Sequence, residues 1–165
     1  IRTGYDLKTA KRSLNLLFAD WANRGLNRWT ITQTTTTITD GTTEYTLAAD
    51  TIDVLSAVIR ENAGTASQTD TAISRIGRDT YLNISSKLTE SRPTQFYIDR
   101  QIVPKIRLYP TPNATYSLVY DRLTRIEDAD SATNTVDVPF RFYPCLTAGL
   151  AYYLSIKKAL IEYKF

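Results

Sequence analysis

The stretch NRWTITQTTTTITDGTTEYTLAAD, residues 27–50, is where the fold is decided. Threonine is branched at Cβ and stiff at χ1, so it fits a pleated strand and disfavours a helix. Asp40-Gly41 supplies two residues suited to a tight turn with positive φ, and the runs on either side, 29–38 and 43–47, are predicted to pair as a β-hairpin. The repeated hydroxyls predict that one face of this hairpin is wet, because a face sealed in a core would carry Val and Ile instead.

Downstream, VLSAVIRE (54–61) continues the strand pattern, and the polar run 62–71 is predicted to be a mobile loop tip. DTYLNISS (79–86) is predicted to make one short helical turn across the sheet edge. Three further strands are predicted at 95–100 (QFYIDR), 105–109 (KIRLY) and 115–123 (TYSLVYDRL). Their alternation, Phe96 and Ile98 against Tyr97 and Asp99, then Ile106 and Leu108 against Lys105 and Arg107, marks one buried face each. Pro104, Pro110 and Pro112 fall in the connections, where a missing N–H costs the ladder nothing.

Two amphipathic helices bracket the strands. In DLKTAKRSLNLLFADWANR (6–24), Leu7, Ala10, Leu14, Leu17, Phe18 and Trp21 recur at helical spacing, Asp6 is the expected N-cap, and Gly25 ends the helix. After an acidic linker, 127–139, the segment 140–165 carries Pro144 in its first turn and an apolar face of Leu146, Gly149, Leu150, Tyr153, Leu154 and Leu160. Ala148 and Ala151 leave room for close packing. The predicted fold is α+β: an antiparallel β-sandwich or barrel flanked by N- and C-terminal helices packed together. The helical part takes residues 1–26 and 137–165, the β-rich part 27–136, expected as one compact unit. Ile1 is a poor start after methionine removal, so a few residues are expected ahead of it.

Composition narrows the chemistry. Twenty basic and 17 acidic residues leave a net charge of +3, too balanced to argue for a nucleic-acid binder. The chain has no histidine, which removes Ser-His-Asp and Cys-His pairs and the usual zinc sites. Its 6 glycines are scattered and make no phosphate-cradling loop, so no cofactor or metal is expected. The single Cys145, beside Tyr143, Pro144 and Leu146, is expected to be a buried thiol. Asp50 and Asp53, or Glu127, Asp128 and Asp130, are the only carboxylate groupings that resemble a hydrolase pair; turn caps and a solvated loop account for them, and an enzyme is not expected. With 11 tyrosines, an exposed Tyr97, Tyr109 or Tyr116 would suit either a subunit interface or a carbohydrate- or receptor-binding β-module.

The order of features is more telling than any one residue. Trp21 to Gly25 closes the first helix and leads to RWT; the Thr-rich run closes with EYTLAAD and IDVLSAVIRE; then follow ISRIGRDTYLNISSK, RPTQFYIDR, IRLYPTP and VDVPFRFYPCLTAGLAYYLSIKK. This order resembles the head-to-tail adaptors of tailed bacteriophages, of the podovirus tail-accessory or packaged-DNA-stabilisation type, and more loosely the tail tubular A proteins. The resemblance implies a structural protein of the virion neck, assembled in the host cytoplasm as a ring of about twelve copies. The ring would dock under the portal, extend the DNA channel without specific DNA binding, and carry a downstream tail or nozzle protein, with no membrane involved. In that setting Lys157, Lys158, Leu160, Ile161, Tyr163, Lys164 and Phe165 are the candidate portal contact, since aromatic anchors flanked by lysines suit an acidic partner. Tyr97, Arg100, Thr35, Thr37 and Tyr109 are the candidate subunit contacts. Lys8, Lys11 and Arg12 are the candidate channel-facing side chains.

Overall fold

The computed structural model describes residues 3–126 and 138–162, with side chains over 6–126 and 138–157. It divides into two compact units, residues 1–30 with 125–165, and residues 31–124.

The first unit is a pair of helices, α1 (Thr3–Asn23) and α3 (Tyr143–Glu162), that pack on each other as predicted. Helix α1 begins earlier than its pattern predicted, so Asp6 lies in its first turn and is not the cap. It ends as predicted. Gly25 takes φ +68°, its N–H donates to the Ala22 carbonyl, and the Leu26 N–H reaches back to Trp21, which is a Schellman closure. One short 3-10 turn, Arg28–Thr30, follows it, and another, Phe140–Phe142, leads into α3, whose first turn holds Pro144. Leu17, Phe18, Trp21, Ile126 and Val138 form the core of this unit, with Leu14, Trp29, Phe142, Leu146 and Tyr153 packed against it. Gly149 lies against Leu17 of α1: a Cβ built there would sit 2.9 Å from both Leu17 methyls. Only glycine fits without moving Leu17. Cys145, expected inside, is exposed. The inward stripe of α3 runs through Leu146, Gly149 and Tyr153, and position 145 falls to one side of it.

The second unit is a curled seven-stranded sheet in the order β1-β7-β3-β4-β5-β6-β2. Its strands are β1 (Ile31–Ile38), β2 (Glu44–Thr46), β3 (Thr51–Glu61), β4 (Thr69–Arg75), β5 (Gln95–Asp99), β6 (Lys105–Tyr109) and β7 (Tyr116–Thr124), with the short helix α2 (Arg78–Leu82) between β4 and β5. The predicted hairpin is not formed. Strand β1 pairs with β7 over its whole length, from Ile31 opposite Leu123 to Ile38 opposite Tyr116, and β2 pairs with β6. The Asp40-Gly41 turn is real, with φ +71° at Gly41, but it carries the chain from one end of the sheet order to the other. Turn chemistry sets the local reversal and not the strand's partner. The curl brings those ends together at the turn, where the Tyr45 hydroxyl accepts the Thr39 N–H at 2.9 Å and the Gly41 N–H donates to Pro112.

Three further departures have plain causes. Residues 69–71, assigned to a loop, open strand β4, which forms a hairpin with β3 from Glu61 opposite Thr69. Its only buried residue is Ile73, so too little of it is apolar to show a period. The sheet is mixed, because β4 and β5 run parallel, and the connection holding α2 makes the crossover. Strand β3 carries a bulge between Val54 and Ser56 that leaves Leu55 exposed and lets Val54, Ala57 and Ile59 all face inward despite their odd spacing. These three join Ile38, Leu47, Ile73, Phe96, Ile98, Ile106, Leu108, Leu118 and Tyr120 in one core.

Candidate functional site

The threonines of β1 divide by parity. Thr34 and Thr36 share the face of buried Ile38 and are half-buried; Thr35 and Thr37 lie on the other face, exposed. The inner hydroxyls are used. Arg122 Nε donates to Thr34 Oγ1 at 3.1 Å, and Thr36 Oγ1 lies 3.4 Å from the Tyr120 hydroxyl. A polar end to the inner face therefore requires threonine there, which the wet-face reading of the run anticipated for the outer side only. Because β1 stands at one end of the sheet order, its far side is not paired by another strand of the unit.

Charged side chains on the sheet are largely taken up by one another. Asp53 is held by two arginines, Arg75 at 2.9 Å and Arg100 at 2.7 Å, and its Oδ1 also accepts the Val54 N–H. Burial pushes the Asp53 carboxyl up, but the hydrogen bonds from Arg75 and Arg100 outweigh it and hold the group below its usual range. Glu44 lies between Lys105 at 2.6 Å and Arg107 at 2.8 Å, and the Lys105 hydrogen bond is the main cause that lowers its pKa. Arg60 grips Asp70 with two bonds of 2.7 Å across the β3–β4 hairpin, and Arg122 pairs with Asp50. Asp50 and Asp53 are thus each neutralised by arginine. Asp53, held in its ionised form, is not set up as a proton donor. Glu127, Asp128 and Asp130 lie outside the described residues.

The tyrosines do not form a stacking strip. Tyr97, expected to face outward, is buried: α2 lays Tyr81 over it with ring centroids 5.5 Å apart and planes 23° apart. Arg107 and Lys87 approach the same Tyr81 ring at 5.9 and 5.8 Å. Tyr109 and Tyr116 are half-buried, and the Tyr116 hydroxyl donates to Asn113 Oδ1 at 2.8 Å. Of the candidate subunit contacts, Thr35, Thr37 and Arg100 are exposed, Tyr109 is half-buried, and Tyr97 is covered by its own chain. Two shallow hollows open on the sheet unit, one of about 440 Å³ beside Arg60 and Thr115 and one of about 330 Å³ beside Arg75, Arg78 and Arg100. Both are polar and open, unlike the enclosed apolar pockets that take small ligands. Among the described residues no group of three His, Cys, Asp or Glu converges as metal ligands.

In the helical unit, Lys8 and Arg12 are exposed and Lys11 is half-buried. Lys157 was expected at the portal contact, yet its Nζ lies 3.0 Å from the hydroxyl of fully buried Ser13, so it ties α3 to α1. The side chains of Lys158, Leu160 and Ile161, and residues Tyr163, Lys164 and Phe165 altogether, lie outside the described residues. No helix among the described residues is long and apolar enough to cross a membrane. Sequence reasoning missed Tyr81, Ser13 and the Asp53 clamp. Each depends on a partner far along the chain that no local spacing announces.

What is left is a protein of surfaces: a curled sheet and a helix pair whose polar groups serve packing and contact. The family model described as SU10 adaptor protein matches residues 4–162, and the chain belongs to that family of phage head-to-tail adaptors. The match takes in both helices and every strand. The protein is accordingly a structural adaptor of the phage virion, from a family that is not one of enzymes. No curated protein matches the chain.

Proposed function

We propose that the protein assembles as a ring of about twelve copies beneath the portal, continues the DNA channel, and presents a platform to the next tail component. The observation that carries this reading is the adaptor-family match across residues 4–162, which spans both units. The ring forms only on the portal, since premature closure would obstruct packaging. The free protein is therefore expected to run as a monomer or weak oligomer by light scattering, and to become a ring when purified portal is added. A free ring stable at micromolar concentration would count against this.

The C-terminal end carries the portal contact in this proposal, and Lys157 is its fixed root, because its ammonium is engaged with Ser13. Deleting residues 161–165 should leave the melting temperature nearly unchanged while abolishing attachment to portal rings. Unfolding of the truncated chain would instead assign those residues to the protein's own core.

DNA passes without a tight site. The arginines of the sheet are largely engaged by acidic groups, Arg60 by Asp70, Arg75 and Arg100 by the one Asp53, and Arg122 by Asp50. Lys8, Lys11 and Arg12 on α1 are the candidate channel-facing side chains. A duplex binder would present a concentrated basic stripe. Weak, salt-sensitive retention of duplex DNA is expected in a mobility assay; sub-micromolar binding at physiological salt would refute it.

A further inference from the structure

The hollow beside Arg75, Arg78 and Arg100 holds more positive charge than the side chains around it balance. It opens where the parallel strands β4 and β5 end: Arg75 closes β4, Arg78 opens α2 and Arg100 follows β5. Arg75 and Arg100 share a single carboxylate, Asp53, at 2.9 and 2.7 Å. Arg78 is exposed and makes no hydrogen bond or ion pair among the described residues. Asp99, the acidic residue of the lining, is already engaged, since its Oδ2 accepts Gln101 Nε2 at 2.9 Å and lies 3.8 Å from Arg107. Asp79, next to Arg78, is exposed and not part of the lining. Three guanidinium groups thus have one carboxylate between them, and a guanidinium is shaped to take carboxylate or phosphate oxygens two at a time.

Two residues past Arg100 stands an apolar tip. The loop between β5 and β6, residues 100–104, has Ile102 at its apex, 97% exposed, with Val103 beside it at 43%. Loop apices ordinarily take Gly, Asn, Asp or Ser, which suit tight turns and water. The loop is also held in place. Arg100 is tied to Asp53, the Gln101 side chain to Asp99, and the carbonyl of buried Pro104 accepts the Leu47 N–H at 2.9 Å. An apolar tip on an anchored loop is preorganised for contact and has little freedom left to lose on binding. Beside surplus arginines, it fits a protein segment in which carboxylates flank an apolar side chain. A phosphate backbone would satisfy the arginines and leave Ile102 in water, so the pairing favours an acidic peptide over DNA.

We infer that the arginine hollow and the Ile102 tip together dock an acidic, apolar segment of the next tail component. Adaptors of this family contact portal and tail proteins, and with the portal given to the C-terminal end the sheet unit is left for the tail side. This surface rests on the platform reading above and places the platform on the sheet unit. The probe is a hexapeptide of alternating glutamate and leucine, added to the isotope-labelled full chain. It should shift the side-chain Nε–H signals of Arg78 and Arg100 and the Ile102 methyls. Arg78→Glu and Ile102→Ser should each weaken binding about tenfold with the remaining amide signals unmoved. A glutamine–leucine hexapeptide should not bind. No shift with the glutamate peptide would overturn the docking site. So would duplex DNA that moves the arginine signals equally at the same concentration and leaves Ile102 unmoved. A moved Arg78 signal in the free protein after Glu127→Gln, Asp128→Asn and Asp130→Asn would show the hollow filled by the chain's own acidic run, and would overturn it as well. On packed heads, Arg78→Glu should still form rings at the portal and fail to take up tail components. Normal tailing by that variant would overturn the docking surface and leave the platform reading intact. Wild-type rings that take up no tail component would overturn both.

Discussion

Truncating Trp21 to alanine is expected to cost the helical unit about 3–5 kcal/mol, the usual range for emptying a buried aromatic site. The ring is 7% exposed and touches three others: Phe142 at 6.0 Å, Phe18 at 6.2 Å and Trp29 edge-on at 6.4 Å between centroids. It connects α1, the turn that follows it and the entry to α3, so one deletion removes contacts from three segments. A whole domain holds only about 5–15 kcal/mol. Amides of α1 and α3 should therefore lose most of their hydrogen-exchange protection, while those of β3 and β7, whose core contains no residue of this cluster, keep theirs. Equal loss across the strands would show that the sheet does not stand on its own core.

The second large effect is expected at Asp53. Asparagine keeps the shape of the side chain and removes the charge that Arg75 and Arg100 share, leaving two guanidinium groups facing one another. Hydrogen bonds to charged groups contribute about 1.5–3 kcal/mol each. Here the arginine side chains are 38% and 60% exposed, so solvent screening reduces the loss, and about 2 kcal/mol is expected for the pair. The pH dependence follows from the direction of the shift. The folded carboxyl titrates below its unfolded value, so the unfolded chain takes up the proton first. Its stabilisation is complete above the unfolded value of about 3.9 and is lost as pH falls through the folded one. Glu44, lowered by Lys105 and Arg107, acts in the same sense. Urea midpoints of the wild type should drop steadily on acidification from about pH 5. Those of Asp53→Asn should start lower and fall less. Parallel curves for the two proteins would contradict the clamp.

The helices were legible because their information is local. Leu14, Leu17, Phe18 and Trp21 repeat at helical spacing, and Gly25 is the residue that a left-handed closure requires. The same holds for the bounds of β5, β6 and β7, which agree with the structure to within a residue, although only β6 keeps a strict alternation of buried and half-buried positions. Strand pairing was not legible. The run 31–38 declares itself a strand, but its partner β7, with Ile31 opposite Leu123 and Ile38 opposite Tyr116, lies far along the chain, and Asp40-Gly41 invites pairing with the nearer and shorter β2. Strand β4 was hidden because a single isoleucine carries its burial. Tyr97 was placed on the wrong side of the surface because alternation along β5 predicts which face a side chain takes, not whether α2 covers that face. Cys145 departed the other way: its apolar neighbours marked a buried thiol, while its position on α3 puts it to one side of the inward stripe, where it is exposed. The adaptor resemblance was readable because it lies in the order of many modest features, which the family match over residues 4–162 also follows.

The central claim is that this chain joins a filled head to its tail, and in vitro complementation tests it most directly. Heads from a phage lacking this gene should be packed with DNA, carry the portal and have no tail. Purified protein added to them should form a ring at the portal vertex in electron micrographs and make the particles competent to take up tail components. Fully tailed, infectious particles assembled without the protein would contradict the account.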